Sequence, residues 1–286
     1  MMELSFEYWY LLPVSILIAT IAMSSGIGGA VFFSPLFMLG LKLDPKIAIG
    51  TALITELFGF TSGLIVYYKA KLIDFQLVKS ILIFSVPAAI IGTKYGSLFE
   101  PIILKTIFSV GLLFIGYQLF ISWQAEERVK HELDIKQEFE QEYESELIDK
   151  NGNVYHYTVC NRGMGRVFSI VGGVFMGMIS VGLAELQEYL LVARCKVPTA
   201  VSVATSVFVV VITVFVASIG HIYEFAKEGS DVLNQVLNVT IFTVPGVIIG
   251  GYVGPKIQKS ISEDLMKASI SILFVVVGFF MLYTLI

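Results

Sequence analysis

Long stretches without a single Asp, Glu, Lys or Arg alternate with short charged links along this chain. Residues 8–41, 106–125, 167–184, 197–220, 232–255 and 268–286 hold none of the four. A membrane-spanning helix needs ~20 apolar residues, and most of these stretches are long enough. The pattern predicts four hydrophobic segments in each half: 11–41, 47–68, 76–95 and 104–122, then 167–193, 199–222, 234–254 and 265–285. Glu56 interrupts the second of these, and Glu185 and Glu188 interrupt the fifth. The first is too long for one upright helix. Gly26, Gly28 and Gly29 sit in its middle with Pro35 beyond, a composition that predicts a broken or re-entrant helix restarting near Ser34-Pro35. A long tilted helix is the alternative. The expected fold is therefore an all-α integral membrane protein.

The two halves repeat one another. Ser24-Ser25-Gly26-Ile27-Gly28 is echoed by Ser180-Val181-Gly182-Leu183-Ala184, and Gly50-Thr51-Ala52 by Ala204-Thr205-Ser206. Val86-Pro87 with Gly92 and Gly96 returns as Val244-Pro245 with Gly250 and Gly254. The same order in both halves implies a duplicated unit, the construction of many secondary transporters, with substrate held between the repeats. The expected division is a first membrane repeat over 1–123, a polar insertion over 124–165 and a second repeat over 166–286.

Charge in the short links sets the expected orientation. With each segment taken as one crossing and the N-terminus outside, Lys42, Lys46, Lys94, Lys105, Arg194, Lys196, Lys256, Lys259 and Lys267 lie inside. Lys69, Lys71, Lys79 and Lys227 lie outside. Both termini are thus expected outside a cell membrane, with the two repeats in one orientation. An odd number of crossings per half would invert them.

Residues 123–165 hold ten acidic and five basic residues. Gln124–Glu146 reads as a helix, and residues 147–157 as a hairpin turning at Asn151-Gly152 by a type I′ turn. A solvated linker and a docking module are both consistent with this insertion.

Composition agrees with the pattern. The chain is 56% hydrophobic and 15% charged, against about 25% charged in soluble proteins, and its mean hydropathy is +0.81. The two cysteines are too few for a disulfide framework and lack metal-ligand spacing. The N-terminus carries Glu3 and Glu7 and no basic residue before Tyr10, which argues against a cleaved signal peptide. The net charge of −4 leaves no basic nucleic-acid footprint. No nucleophile elbow, zinc-protease, Walker or Cys/His metal motif is present. An enzyme, a cofactor and a metal are not expected.

The candidate chemistry lies in the interrupted segments. Glycines at Gly26, Gly28 and Gly29 expose backbone N–H groups, and a restarting helix offers an anion its positive end. Ser25, Thr51, Thr205 and Ser206 add hydroxyls in or beside the repeated motifs. Close helix packing through small residues is the competing reading. Glu185, Glu188 and Glu56 are carboxylates at membrane depth, which are costly there and usually functional. They are candidates for proton coupling. Pairing of Glu185 with Arg194 or Lys94 is the structural alternative. In the matched motifs Gly29 stands opposite Glu185, so repetition alone does not demand a carboxylate there.

Gly26-Ile27-Gly28-Gly29 followed by Ser34-Pro35-Leu36, then Ala48-Ile49-Gly50-Thr51-Ala52-Leu53, then Pro87 with Gly92 and Gly96, resembles the sulfite exporter TauE/SafE family. Pro198, Ala204-Thr205-Ser206-Val207 and Pro245 resemble its second half. The resemblance covers nearly the whole chain outside 123–165. It departs at Gly182-Leu183-Ala184-Glu185-Leu186-Gln187-Glu188, where many members keep another glycine-rich stretch. The resemblance implies export or exchange of small, often sulfur-containing anions such as sulfite, thiosulfate, sulfonates or organic acids. The expected partners are that anion and the lipid bilayer; oligomeric state is not readable. The alternative is a membrane accessory protein that holds a partner through its acidic insertion.

Overall fold

The computed structural model describes residues 6–133, 145–159, 162–257 and 263–285. Its helices are α1 (Leu11–Ser25), α2 (Ala30–Pro35), α3 (Pro45–Ala70), α4 (Phe75–Gly96) and α5 (Pro101–Leu133) in the first half. The second half has α6 (Arg162–Ile179), α7 (Leu183–Glu188), α8 (Thr199–Glu228), α9 (Ser230–Ile257) and α10 (Glu263–Tyr283). Strands β1 (Ser145–Ile148) and β2 (Val154–Tyr157) stand between them. Among the described residues five helices, α3, α4, α5, α8 and α9, are long and apolar enough to cross a membrane. The outward faces carry bulky apolar residues such as Ile90, Phe114, Ile219 and Phe280, while Ser85, Thr55, Thr213 and Thr243 are buried. Bulk outside and small polar groups inside is the packing that lipid favours.

Local sequence explains the helix starts. Asp44 caps α3 by accepting the Lys46 N–H at 2.9 Å, with Pro45 in the first position. Asp74 caps α4 through the N–H groups of Gln76 and Leu77 at 2.8 and 3.1 Å.

The two long interrupted segments are helical hairpins. Helix α1 ends at Gly26, whose φ of 77° turns the chain out of the helix. The chain restarts as α2 at Ala30, before the expected Ser34-Pro35, and Pro35 lies inside it. A π-type turn, Leu36–Gly40, follows the proline. At 15 residues α1 is about 22 Å long, short of a ~30 Å hydrocarbon core. The second half repeats this with α6, a turn at Ser180–Gly182, α7 and a π-type turn Tyr189–Arg194. The ends match in detail. The Leu43 and Val197 N–H groups close onto Phe37 O and Leu191 O, and Lys42 and Lys196 both have positive φ.

Contacts fix the helix directions. Thr55 meets Thr243 at 3.0 Å and Gly59 faces Val247, so α3 and α9 run in parallel. Gly246 faces Leu12 and Ser15, and Gly254 faces Met23, so α1 shares that direction. Gly29 faces Phe60 and Leu43 lies next to the α3 start, so α2 runs back against α3. Ser85 meets Thr213, and Gly173 and Gly177 face Ser85 and Ala89, so α4, α6 and α8 share one direction. That direction opposes α3, because Gly50 at the α3 start faces His221 and Phe225 late in α8. Helix α10 lies antiparallel to α5, with Gly116 against Ser271 and Gly278 against Ser109.

Two expectations are corrected here. Elements in matching places run in opposite directions in the two halves, whereas one shared orientation was expected. The cause is the hairpin, which returns to its own face and leaves an odd number of crossings. The motif register also shifts. Gly29 and Gly182 are both helix N-caps, and the matched ends at Leu43 and Val197 lie one residue off that register, so Glu185 falls opposite Val31 or Phe32 and not Gly29. The first half still has no carboxylate there.

Helix α5 runs unbroken through the boundary expected at 123 and reaches Leu133. The expected helix over 124–146 otherwise lies outside the described residues, apart from Ser145 and Glu146, which are strand. The hairpin forms, but not with a type I′ turn. Only Gly152, at φ 85°, has positive φ in the loop. The Asp149 side chain instead gathers the N–H groups of Asn151 and Asn153 at 2.8 and 2.9 Å. Tyr157 anchors the hairpin to the helices, donating to Asp74 Oδ2 at 2.7 Å, and the Lys150 N–H reaches Ala70 O at 3.0 Å.

Candidate anion site

The tips of the two hairpins meet inside the bundle. Glu185, in the first turn of α7, reaches across both. Its Oε2 accepts the Gly182 N–H at 2.9 Å and its Oε1 accepts the Gly28 N–H at 3.2 Å. One turn further along α2, Ser34 Oγ meets Ser180 Oγ at 2.9 Å. Glu56 comes from α3 and stands near the N–H groups of Gly29 and Ala30. Among the described residues neither of its carboxylate oxygens makes a hydrogen bond.

A Cβ on Gly28 would stand 3.1 Å from Glu56 Oε1 and 3.2 Å from Glu185 Oε1. The two carboxylates therefore converge on one backbone unit, and a side chain there would have to push them back by a few tenths of an ångström. Glu56 and Glu185 are 1% and 4% exposed. Among the described residues no lysine or arginine pairs with either. Arg194 instead donates to the Tyr189 hydroxyl at 3.3 Å, so the expected structural pairing of Glu185 with Arg194 is absent. Beside Glu56, Ala19, Gly29 and Phe33 line a cavity of about 10 Å³, at the lower limit for one water. The tips are closed to bulk water in this conformation.

The other sequence candidates divide. Gly26, Gly28 and Gly29 are at the meeting point. Ser25 is beside them, but its hydroxyl donates to Ile21 O at 2.8 Å within its own helix. Thr205 is drawn to the α4 start, accepting the Asp74 N–H at 3.0 Å. Thr51 and Ser206 are buried with unpartnered hydroxyls. They lie on α3 and α8 and make no hydrogen bond to the glycines. Glu188 lies near Tyr67, away from the shared bonds of Glu185. Sequence reasoning missed Ser34 and Ser180. Ser180 was visible within the repeated motif, but its contact with Ser34 spans 146 residues and leaves no local signal.

Helical hairpins reaching in from opposite faces are a construction found among membrane transport proteins. Residues 11–281 match the profile of the Sulfite exporter TauE/SafE family, and the chain belongs to that family. It is 23% identical over 280 residues to "Probable membrane transporter protein YunE" of Bacillus subtilis (strain 168), covering 96% of each chain. It is 23% identical over 256 residues to "Probable membrane transporter protein YjnA" of the same organism, covering 86% of this chain and 90% of that one. No solved structure matches.

Proposed function

We propose that this chain is a secondary transporter that exports small anions, sulfur-containing ones such as sulfite, thiosulfate or sulfonates, or related organic acids. The family description supports the substrate class. The observation that carries the mechanism is Glu185 bound to N–H groups of both hairpin tips. Donors suited to a small oxyanion are occupied at rest by the protein's own carboxylate. A substrate anion takes those donors when Glu185 leaves, and protonation of Glu185 removes the charge that holds it there. The proton then offsets the charge of the arriving anion. Glu56, buried next to Glu185 at Gly28 and without a hydrogen-bond partner among the described residues, is the second proton site.

The two halves act as inverted repeats of one hairpin and three crossings. That arrangement keeps both termini on one face. The opposite face gathers Lys69, Lys71, Lys79, Arg166, Arg194, Lys196 and Lys256, against Lys42, Lys46, Lys94, Lys105 and Lys227 on the terminal face. The positive-inside rule then puts the termini outside the cell membrane.

The test is flux in proteoliposomes with sulfite, thiosulfate, sulfoacetate, taurine and short carboxylates. At least one anion should move, with a rate that depends on pH. Glu185→Gln should still bind that anion but lose the pH dependence. A Gln variant with the wild-type pH profile would remove the proton role from Glu185.

A further inference from the structure

A second cavity, of about 220 Å³, opens where α4, α6 and α7 meet the β hairpin. Its floor is Gln187 and Ser169, each 1% exposed, with Gln187 Nε2 donating to Ser169 Oγ at 3.0 Å. Gln187 is two residues beyond Glu185, on the same short helix. Gln76 and Ser80 stand on the α4 wall and Arg166 on the α6 wall. The Arg166 guanidinium sits 5.9 Å over the Phe84 ring, and among the described residues no carboxylate pairs with it. Among the described residues Asp74 is the one acidic residue in the lining. Its carboxylate is engaged by Tyr157 and by two N–H groups at the α4 start. The hairpin contributes Ser145 and Val159 to the rim.

We infer that this cavity is an anion-loading vestibule, in which Arg166, with the amides of Gln76 and Gln187, holds a small oxyanion before it reaches the hairpin tips. The inference deepens the transport reading and rests on it for the passage onward. The charge balance supports it: a cation with no carboxylate partner among the described residues lines the same cavity as an acidic group whose oxygens are already taken by hydrogen bonds. Geometry supports it too, because the buried floor is made of the helix that carries Glu185. The face is the one rich in Lys and Arg, where an exporter collects its substrate.

The test has two arms. Ser80, exposed on the α4 wall, is replaced in Ser80→Cys. Its labelling by a sulfonate-bearing and a trimethylammonium-bearing methanethiosulfonate is then timed, each rate divided by that for a free thiol. The untouched chain serves as blank. The sulfonate reagent should be favoured by at least about tenfold, and Arg166→Gln should erase the preference. Equal normalised rates, or a preference that survives Arg166→Gln, overturn the vestibule. In the second arm, Arg166→Gln should raise the KM of whichever anion proves to be transported, presented on this face, by about tenfold. Its kcat should be unchanged, and Arg166→Lys should recover most of the loss. An unchanged KM in a working transporter also overturns the inference. Anion-selective labelling in a chain that moves none of the panel would uphold the vestibule and sink the transport reading.

Discussion

The two hairpin tips solve one geometric problem with different chemistry. The first tip turns on Gly26, Gly28 and Gly29 and carries no acid of its own. Gly26 takes φ 77°, and Gly28 leaves room for side chains from two other elements. The second tip uses Ser180 at φ 60°, a conformation that costs a side-chain residue about 1–2 kcal/mol. Hydrogen bonds of the Ser180 hydroxyl to Ile179 O at 2.6 Å and to Ser34 offset that cost. The second tip also carries Glu185. One tip is thus a receptor for carboxylates and the other a donor of one. The site between them has a polarity that pure duplication would not give.

This asymmetry can be broken at several points. The largest effect is expected from Gly28→Leu, which places a side chain where two carboxylates meet the backbone. Anion binding should vanish while membrane insertion persists, checked by titration of purified protein and by protease mapping. Unchanged affinity would put the site elsewhere. Next, Glu185→Ala removes the acceptor of two buried N–H groups. Hydrogen bonds to a charged group contribute ~1.5–3 kcal/mol, so the midpoint of thermal unfolding in detergent should fall clearly. Glu56→Ala, which loses no such bond, should lower it less, and the reverse order would contradict the assigned roles.

Gly26→Ala should cost about 1–2 kcal/mol from its left-handed conformation, and more because the new Cβ would lie 2.8 Å from Val203. Ser180→Gly should be nearly neutral in the same unfolding assay, since relief of strain offsets the lost bonds. Equal losses at the two positions would mean that the tips are not equivalent turns. The smallest effect is expected at the hairpin anchor. Tyr157→Phe should cost about 1 kcal/mol or less and speed proteolysis of residues 145–157. Burial and the Asp74 carboxylate raise the Tyr157 pKa. The anchor should therefore hold up to the ordinary phenol range near 10 and loosen only as pH climbs beyond it.

Much of this was legible in the sequence, and particular residues show where legibility ended. Charge-free runs located α5, α8 and α9 because bilayer thickness imposes a length. The glycines of the first interrupted segment announced its break, since glycine leaves the helical ladder at little cost. The second break was harder to read. Ser180 and Gly182 make the same turn with one glycine, and the acids Glu185 and Glu188 drew attention from it. Helix direction was not legible. It depends on whether the chain turns back at 26–29, and a single unread turn reverses everything after it. The capture of the Gly28 N–H by Glu185 was also invisible, because nothing local links residues 157 apart.

That separation matters while the protein is being made. The first tip leaves the ribosome long before its acceptor exists. At ~5–20 residues per second, 157 residues take on the order of ten seconds or more. Helix α1 waits longer still, because α9, which runs beside it, is nearly the last element synthesised. An early hairpin with bare N–H groups is unstable in hydrocarbon. The insertion machinery must therefore shelter the first half until the second arrives. A chain cut after the insertion should be cleared by membrane proteases, and co-expression of the two halves should rescue both.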